Sequence, residues 1–204
     1  MRSGSEDIAR AVAADTVGAL IRQNSLFRRR VSRHLDVMGQ RREARERAVQ
    51  FLFQHDLNPP ANLNEALDQF WDSQRGPAIA AEKASASWGQ KPELPPATHA
   101  EVAVRTFADK LIRGVIEHRD ELDTRIKQHA QNWDLHRMAV VDRNVLRLAI
   151  YEMLYREDIP PIVSINEAVD IAKKFSTEDS GKFVNGLLDK IKGEILRSAR
   201  IVTI

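Results

Sequence analysis

Arginine and aromatic side chains at helical spacing are the residues of this sequence best suited to chemistry. Positions 40–55 read QRREARERAVQFLFQH. At about 100° per residue, Arg41, Arg42 and Arg45 share one arc of a helix, and Phe53 lines up with Arg42 about 16 Å further along the axis. Guanidinium groups hold phosphates and aromatic rings stack on unpaired bases. The pattern therefore indicates a surface for single-stranded RNA.

The same pattern also fits a solvated helix face, and the residues alone leave both interpretations open. Glu43 and Glu46 stand among the arginines and would balance their charge. In this second interpretation, Phe53 is an ordinary core residue. Val49 lies on the predicted row between Arg42 and Phe53. The face predicted to pack on other helices is apolar and consists of Ala44, Ala48, Phe51 and Leu52.

Positive charge is concentrated in one part of the chain. The 204 residues carry a formal net charge of +2, which is too small to indicate a partner. Positions 28–47, however, hold eight arginines against three carboxylates, a local net charge of +5. A local excess of this kind is typical of a surface that faces an anion.

Several classes of protein are disfavoured by what the sequence lacks. Cysteine is absent, which removes disulfides, thiolate nucleophiles and cysteine zinc sites and favours a cytoplasmic setting. The six histidines have no metal-ligand spacing, and there is neither a glycine-rich phosphate loop nor an HExxH pair. The apolar runs fall far short of the roughly 20 residues that cross a bilayer. We therefore expect no catalytic residue, cofactor, metal site or membrane span.

The elements that position these side chains are predicted to be helices throughout. Apolar residues recur at threes and fours, and no segment has a strand period. The sequence therefore predicts an all-α fold, a bundle of about six or seven helices. The helix over 141–156 is apolar on nearly all sides, which predicts a central, buried position. The predicted helices span about 40–55, 64–73, 99 to beyond 126, 141–156, 164–175 and 180–196.

Local signals refine these predictions. Ser164 stands three residues before Glu167, which predicts a capping box at a helix start. Gly114 should either bend the long third helix or let a neighbour approach closely. Gly186 is unfavourable inside the last helix, so close packing or a contact should require it. Asn64 is the predicted cap of the second helix.

Domain organisation follows from where helical periodicity weakens. Residues 1–38 are predicted to form an N-terminal leader, residues 39–198 one helical domain, and residues 199–204 a tail. Within the domain, the segment over about 75–98 is rich in Ala, Ser, Pro and Gly, which predicts a mobile insert.

Three ordered motifs resemble the NusB family of bacterial transcription antitermination factors. They are RREARERAVQFLF from Arg41, VVDRNVLRLAIYEML from Val140 and IPPIVSINEAVDIAKKFSTEDSGKFVNGLLDKI from Ile159, and the likeness runs from Gln40 to about Lys192. The resemblance implies two small helical subbundles packed across each other, and an activity of binding rather than catalysis. The implied ligands are boxA-type single-stranded RNA of ribosomal RNA leaders and ribosomal protein S10, and the implied outcome is read-through by an RNA polymerase antitermination complex. Homodimers also occur in this family.

The resemblance also implies which residues contact RNA. The family's arginine motif falls here on Arg41, Arg42 and Arg45, and its aromatic RNA neighbour falls on Phe53. Lys182, one turn after the acidic segment of the third motif, is placed to meet a phosphate. The resemblance thus agrees with the RNA-binding interpretation of the arginine helix, which its own pattern leaves open beside a solvated face.

The resemblance also implies which acidic residues lie at the surface that contacts the protein partner. The position that faces S10 in the family falls on Asp142, and Glu178 and Asp179 fall near the RNA and partner surfaces. Asp142 equally suits a helix N-cap, and Glu178 and Asp179 favour the positive end of the last helix whatever they bind. Capping and partner contact both remain open for Asp142.

Two features depart from the family pattern. The loop over 58–98 is longer than is usual, and the residues before Met38 have no counterpart. Because the sequence from Met38 resembles a family N-terminus, we expect translation to begin there. Two alternative functions remain: a helical protein-interaction module that does not bind RNA and, less favoured, an accessory domain of an RNA-modifying enzyme.

Overall fold

The computed structural model describes the backbone of residues 36–76, 96–130 and 135–202. The chain divides into two compact units, Met1–Arg41 and Arg42–Ile204. In the first unit, the described residues 36–41 are helical. Most of the leader predicted over 1–38 and most of the insert predicted over 75–98 lie outside the described residues.

The second unit is built from α-helices, and no strand occurs among its described residues. The predicted all-α class is confirmed. A short 3-10 turn at Leu135–Arg137 precedes the fifth of its helices. The helices are α1 (42–57), α2 (Leu63–Gln74), α3 (His99–Glu117), α4 (Arg119–His129), α5 (Val140–Tyr155), α6 (Pro161–Phe175) and α7 (Glu178–Val202).

Helix α5 lies at the centre of the second unit. Every residue over 144–150 is buried, and the helix contacts α3, α4, α6 and α7. Helices α5, α6 and α7 contact one another and form one three-helix group. A second group joins α1 to α2 through the rings of Phe51 and Phe70, and α2 to α3 through the Trp71 Nε1 hydrogen bond to Asp109. This arrangement agrees with the expected pair of small subbundles.

The long third helix of the prediction is two helices. Helix α3 ends at Glu117, and α4 begins at Arg119 after a break at His118. Gly114 does not mark this break. A Cβ atom at that position would overlap the ring of Tyr151, so the glycine lets α5 approach α3 closely. Of the two roles predicted for Gly114, close approach of a neighbour is the correct one.

The predicted capping box at Ser164 is wrong. Helix α6 begins three residues earlier, at Pro161, because the φ angle of proline suits the first helical turn, where its missing N–H is not needed. Ser164 is therefore inside the helix, and its buried hydroxyl has no hydrogen-bond partner among the described residues. Glu167 is free to contact another helix. In α2 the observed cap is Asn62, not Asn64.

Helix α7 starts earlier and ends later than predicted. It begins at Glu178, whose carboxylate lies in the first turn and favours the positive end of the helix dipole. It extends to Val202. The packing predicted for Gly186 is wrong, because the residue is exposed and a Cβ atom there would meet nothing within 4 Å.

Candidate nucleic-acid and partner interface

Arg42 lies on α1, and carboxylates of α6 balance its charge. Its side chain is 47% exposed, and its guanidinium group donates to Glu167 at 2.9 Å and to Asp170 at 2.7 Å, both from Nη2. A second hydrogen bond to Glu167 runs from Nε at 3.1 Å. The hydrogen bond to Glu167 raises the pKa of Arg42. A phosphate that binds Arg42 must therefore compete with two internal carboxylates.

The exposure expected for Arg45 is wrong. Its side chain is only 3% exposed, and its Nε donates to Oε1 of the fully buried Glu152 at 2.8 Å. The guanidinium group also lies 3.8 Å from Glu167 and 5.5 Å from the ring centroid of Phe107. A buried carboxylate needs a charged partner, and Arg45 supplies it. Arg45 thus holds α1 against α5 and α6 in this structure.

The predicted row from Arg42 to Phe53 is not continuously exposed. Val49, between them, is 2% exposed and belongs to the hydrophobic core. Phe53 is half-buried and lies outside that core, whereas Phe51 and Leu52 are part of it. The predicted packing face is confirmed, and Phe53 remains partly accessible.

Arg41 is the last residue of the first unit. It lies in the described helical segment 36–41 and is partly exposed. Its predicted contact with RNA stays a prediction.

The first turns of α7 carry three exposed charged residues from the prediction. Glu178 and Asp179 occupy the first turn, and Lys182 follows one turn later. The Nζ of Lys182 lies 3.5 Å from Oδ1 of Asp179, with both side chains more than four-fifths exposed. Such a pair contributes little to stability in water, so all three side chains are free to meet a ligand.

Asp142 is not the N-cap of α5. The helix begins at Val140, and its cap residue Ala139 supplies no side-chain hydrogen bond. Asp142 is 8% exposed, and its Oδ2 accepts a 2.8 Å hydrogen bond from the hydroxyl of Ser180 in α7. Its Oδ1 has no hydrogen-bond partner in the described parts of the chain. The carboxylate therefore joins the first turns of α5 and α7.

A buried charge network that the sequence analysis missed lies at the end of α1. The side chain of Asp56 is 4% exposed, and its Oδ2 accepts from Arg147 at 2.8 Å and from Arg143 at 3.1 Å. Its Oδ1 forms an ion pair with Arg119 at 3.1 Å. Arg147 also donates to both carboxylate oxygens of Asp123. Burial alone would raise the pKa of Asp56, but the attraction of Arg147 and the other arginines outweighs it and lowers the pKa. The sequence feature that could have predicted this network is Arg147, because a charge on a helix predicted to be buried requires a counter-ion.

Charged groups from α1 and α6 line an open groove of about 460 Å³. Lys174 donates to Glu46 at 2.6 Å across this groove. The lining residues are Arg42, Glu46, Asp170, Ile171, Lys173 and Lys174.

The described residues contain no cluster of three or more metal-ligating side chains. Among those same residues, no helix is both long and apolar enough to cross a membrane. The described parts of the chain form an all-α protein with exposed charged residues on α1, α6 and α7.

The chain belongs to the NusB family, whose sequence model matches residues 42–192. It is 46% identical over 154 residues to the transcription antitermination protein NusB of Myxococcus xanthus, covering 76% of this chain and 95% of the relative. It is 41% identical over 158 residues to the protein of the same name from Bacillus subtilis, covering 78% of this chain and 98% of the relative.

Solved structures show the same fold. NusB of T. maritima is similar with a TM-score of 0.57 and 37% identity, over 76% of this chain and 91% of that one. A crystal structure of the antitermination factors NusB and NusE in complex with dsRNA matches with a TM-score of 0.58 and 26% identity, over 77% of this chain and 98% of the matched chain.

Proposed function

We propose that this protein is a transcription antitermination factor. It binds boxA-type single-stranded RNA of ribosomal RNA leaders together with ribosomal protein S10, and it promotes read-through by RNA polymerase. The observation that carries this proposal is the match to curated transcription antitermination proteins, at 41–46% identity over almost their whole length. The structural neighbour that holds NusB, NusE and RNA supports the same assignment.

The RNA-binding residues in this proposal are Arg41, Arg42, Phe53 and Lys182, with Arg45 in a supporting role. Arg42 and Lys182 are exposed cations, and Phe53 is a partly accessible ring. Cations of this kind hold phosphates while a ring stacks on a base. Arg45 is buried against Glu152, so in the proposal it positions α1 and does not touch the phosphate in this conformation.

The S10 surface in this proposal contains Asp142, Glu178 and Asp179. Asp142, which is 8% exposed, joins the first turns of α5 and α7 at this surface through Ser180, and the two exposed carboxylates add negative charge for a basic partner. The protein acts in the cytoplasm by binding, without a catalytic step or a cofactor.

The test is RNA affinity measured by fluorescence anisotropy, with and without recombinant S10. The probe is a short labelled single-stranded leader RNA that contains a boxA element, and a duplex of the same length is the comparison. Arg42→Gln should weaken binding and make the slope of log affinity against log salt shallower. The matched control is Arg113→Gln, because Arg113 is exposed on α3 and donates a hydrogen bond to Asn64 of α2. Equal RNA affinity of parent, Arg42→Gln and control would contradict the role of Arg42, and a parent that does not bind the RNA would contradict the RNA-binding proposal.

A second candidate function is a helical protein-interaction module without RNA binding. The observation that favours it is the internal neutralisation of Arg42 by Glu167 and Asp170, together with the burial of Arg45. This candidate predicts S10 binding with no measurable affinity for the leader RNA. Asp142→Lys should then remove S10 binding, as it should in the first proposal.

A further inference from the structure

Lys173 differs from the other cations of the groove between α1 and α6. Arg42 is held there by Glu167 and Asp170, and Lys174 is held by Glu46. Lys173 is exposed and has no hydrogen-bond or ion-pair partner among the residues that the structure describes. Its charge is thus available to a ligand without displacing an internal carboxylate.

The stem of Lys173 lies across the first turns of α7. A Cβ atom added to Gly181 would lie 2.8 Å from Cγ of Lys173 and 2.9 Å from its Cε. Glycine is therefore the residue that lets this stem run directly over the α7 backbone. The buried Gly181 is the neighbour of Lys182 in sequence. Lys173 consequently lines the groove that holds Arg42 and also contacts the helix turn that carries Lys182.

We infer that Lys173 is a further phosphate-binding residue, which continues the RNA path from Arg42 on α1 to Lys182 on α7. This inference rests on the proposed function, because it assumes that an RNA occupies the surface of α1. The ligand chemistry is a phosphodiester oxygen held by an ammonium group, which is a point charge on a flexible stem and needs no fixed orientation. Gly181 is a positioning residue for this contact.

The experiment compares RNA affinity of the full chain and of Lys173→Met over a range of salt concentrations. Methionine keeps an unbranched stem over Gly181 and removes the charge. Each phosphate contact contributes about 0.7 to the slope of log affinity against log salt for a single strand, which is about fivefold in affinity at 0.1 M salt. Lys173→Met should show a loss of this size and a shallower slope, and Lys173→Arg should keep most of the affinity.

The matched control is Lys190→Met. Lys190 is exposed on α7, nine residues after Gly181, which places it about 180° around the helix and about 13 Å along it. A Lys173→Met protein that binds RNA like Lys190→Met, with the same salt slope, would overturn the inference. If Arg42→Gln weakens binding in the same series, the proposed function survives that result. If the parent itself does not bind the RNA, the proposed function fails.

Gly181→Ala gives an independent measurement. The added methyl group should push the Lys173 stem aside and weaken RNA binding in the parent. The same substitution in the Lys173→Met background should have a smaller effect, because the charge is already absent. Equal effects in both backgrounds would show that Gly181 does not act through Lys173.

Discussion

Replacing Arg45 by methionine tests whether its buried ion pair with Glu152 stabilises the helical fold. The two side chains are 3% and 0% exposed and lie 2.8 Å apart. Oε2 of Glu152 has no hydrogen-bond partner among the described residues, so the loss of Arg45 would leave this carboxylate almost unsupported. Removing one partner of a buried pair typically costs about 3–5 kcal/mol. We expect Arg45→Met to lower the free energy of unfolding by this amount.

The assay is urea denaturation followed by circular dichroism, with Arg42→Met as the control. Arg42 is 47% exposed and its surface ion pairs should contribute only about 0–1 kcal/mol. The double variant Arg45→Met with Glu152→Leu removes both buried charges and should recover most of the lost stability. The reasoning is refuted if Arg45→Met costs no more than Arg42→Met, or if the double variant is as unstable as the single one.

Three further predictions concern charge and packing. Asp170→Asn should raise RNA affinity about two- to fivefold at low salt, because one competitor for Arg42 is neutralised; unchanged anisotropy titrations would contradict this. The pKa of Asp56 is lower in the folded protein than in the unfolded chain, where it is about 4. Its contribution to stability is therefore complete above the pKa of the unfolded chain and is lost as the pH falls through the pKa of the folded protein. Asp56→Asn should therefore be less stable at neutral pH and lose less stability between about pH 5 and pH 3 than the parent in urea titrations. Gly114→Ala should lower the free energy of unfolding by about 1–3 kcal/mol, because the ring of Tyr151 fills the space. Gly186→Ala, on an open helix surface, should raise it by up to about 1 kcal/mol. Thermal unfolding of both variants checks the opposite signs.

The helices could be predicted from the sequence where apolar residues recur periodically or, as in the central helix, cover nearly all sides. The central helix was predicted over 141–156 and is observed at Val140–Tyr155. Helix ends were less predictable because several residues compete to start a helix. At α6 the proline at position 161 starts the helix, although Ser164 and Glu167 form the spacing of a capping box.

The environment of the arginine helix could not be predicted from its own sequence. A helical projection gives the direction of each side chain but not the residue that faces it. Arg45 lies about 20° from the edge of the predicted packing arc, and its partner Glu152 is 107 residues away in the chain. The partners of Arg42 are 125 and 128 residues away. Family resemblance located these arginines but carried no information on which of them is exposed.

The Asp56 network gives this chain a cross-link of a kind that does not depend on oxidation. One carboxylate at the end of α1 holds Arg119 of α4 and both Arg143 and Arg147 of α5, segments that are separated by more than 60 residues of sequence from Asp56. A protein without cysteine cannot join such distant segments with a disulfide. Reducing agents should therefore leave these ion pairs intact, whereas protonation of Asp56 removes the counter-charge of all three arginines at once and leaves Arg147 with Asp123 alone.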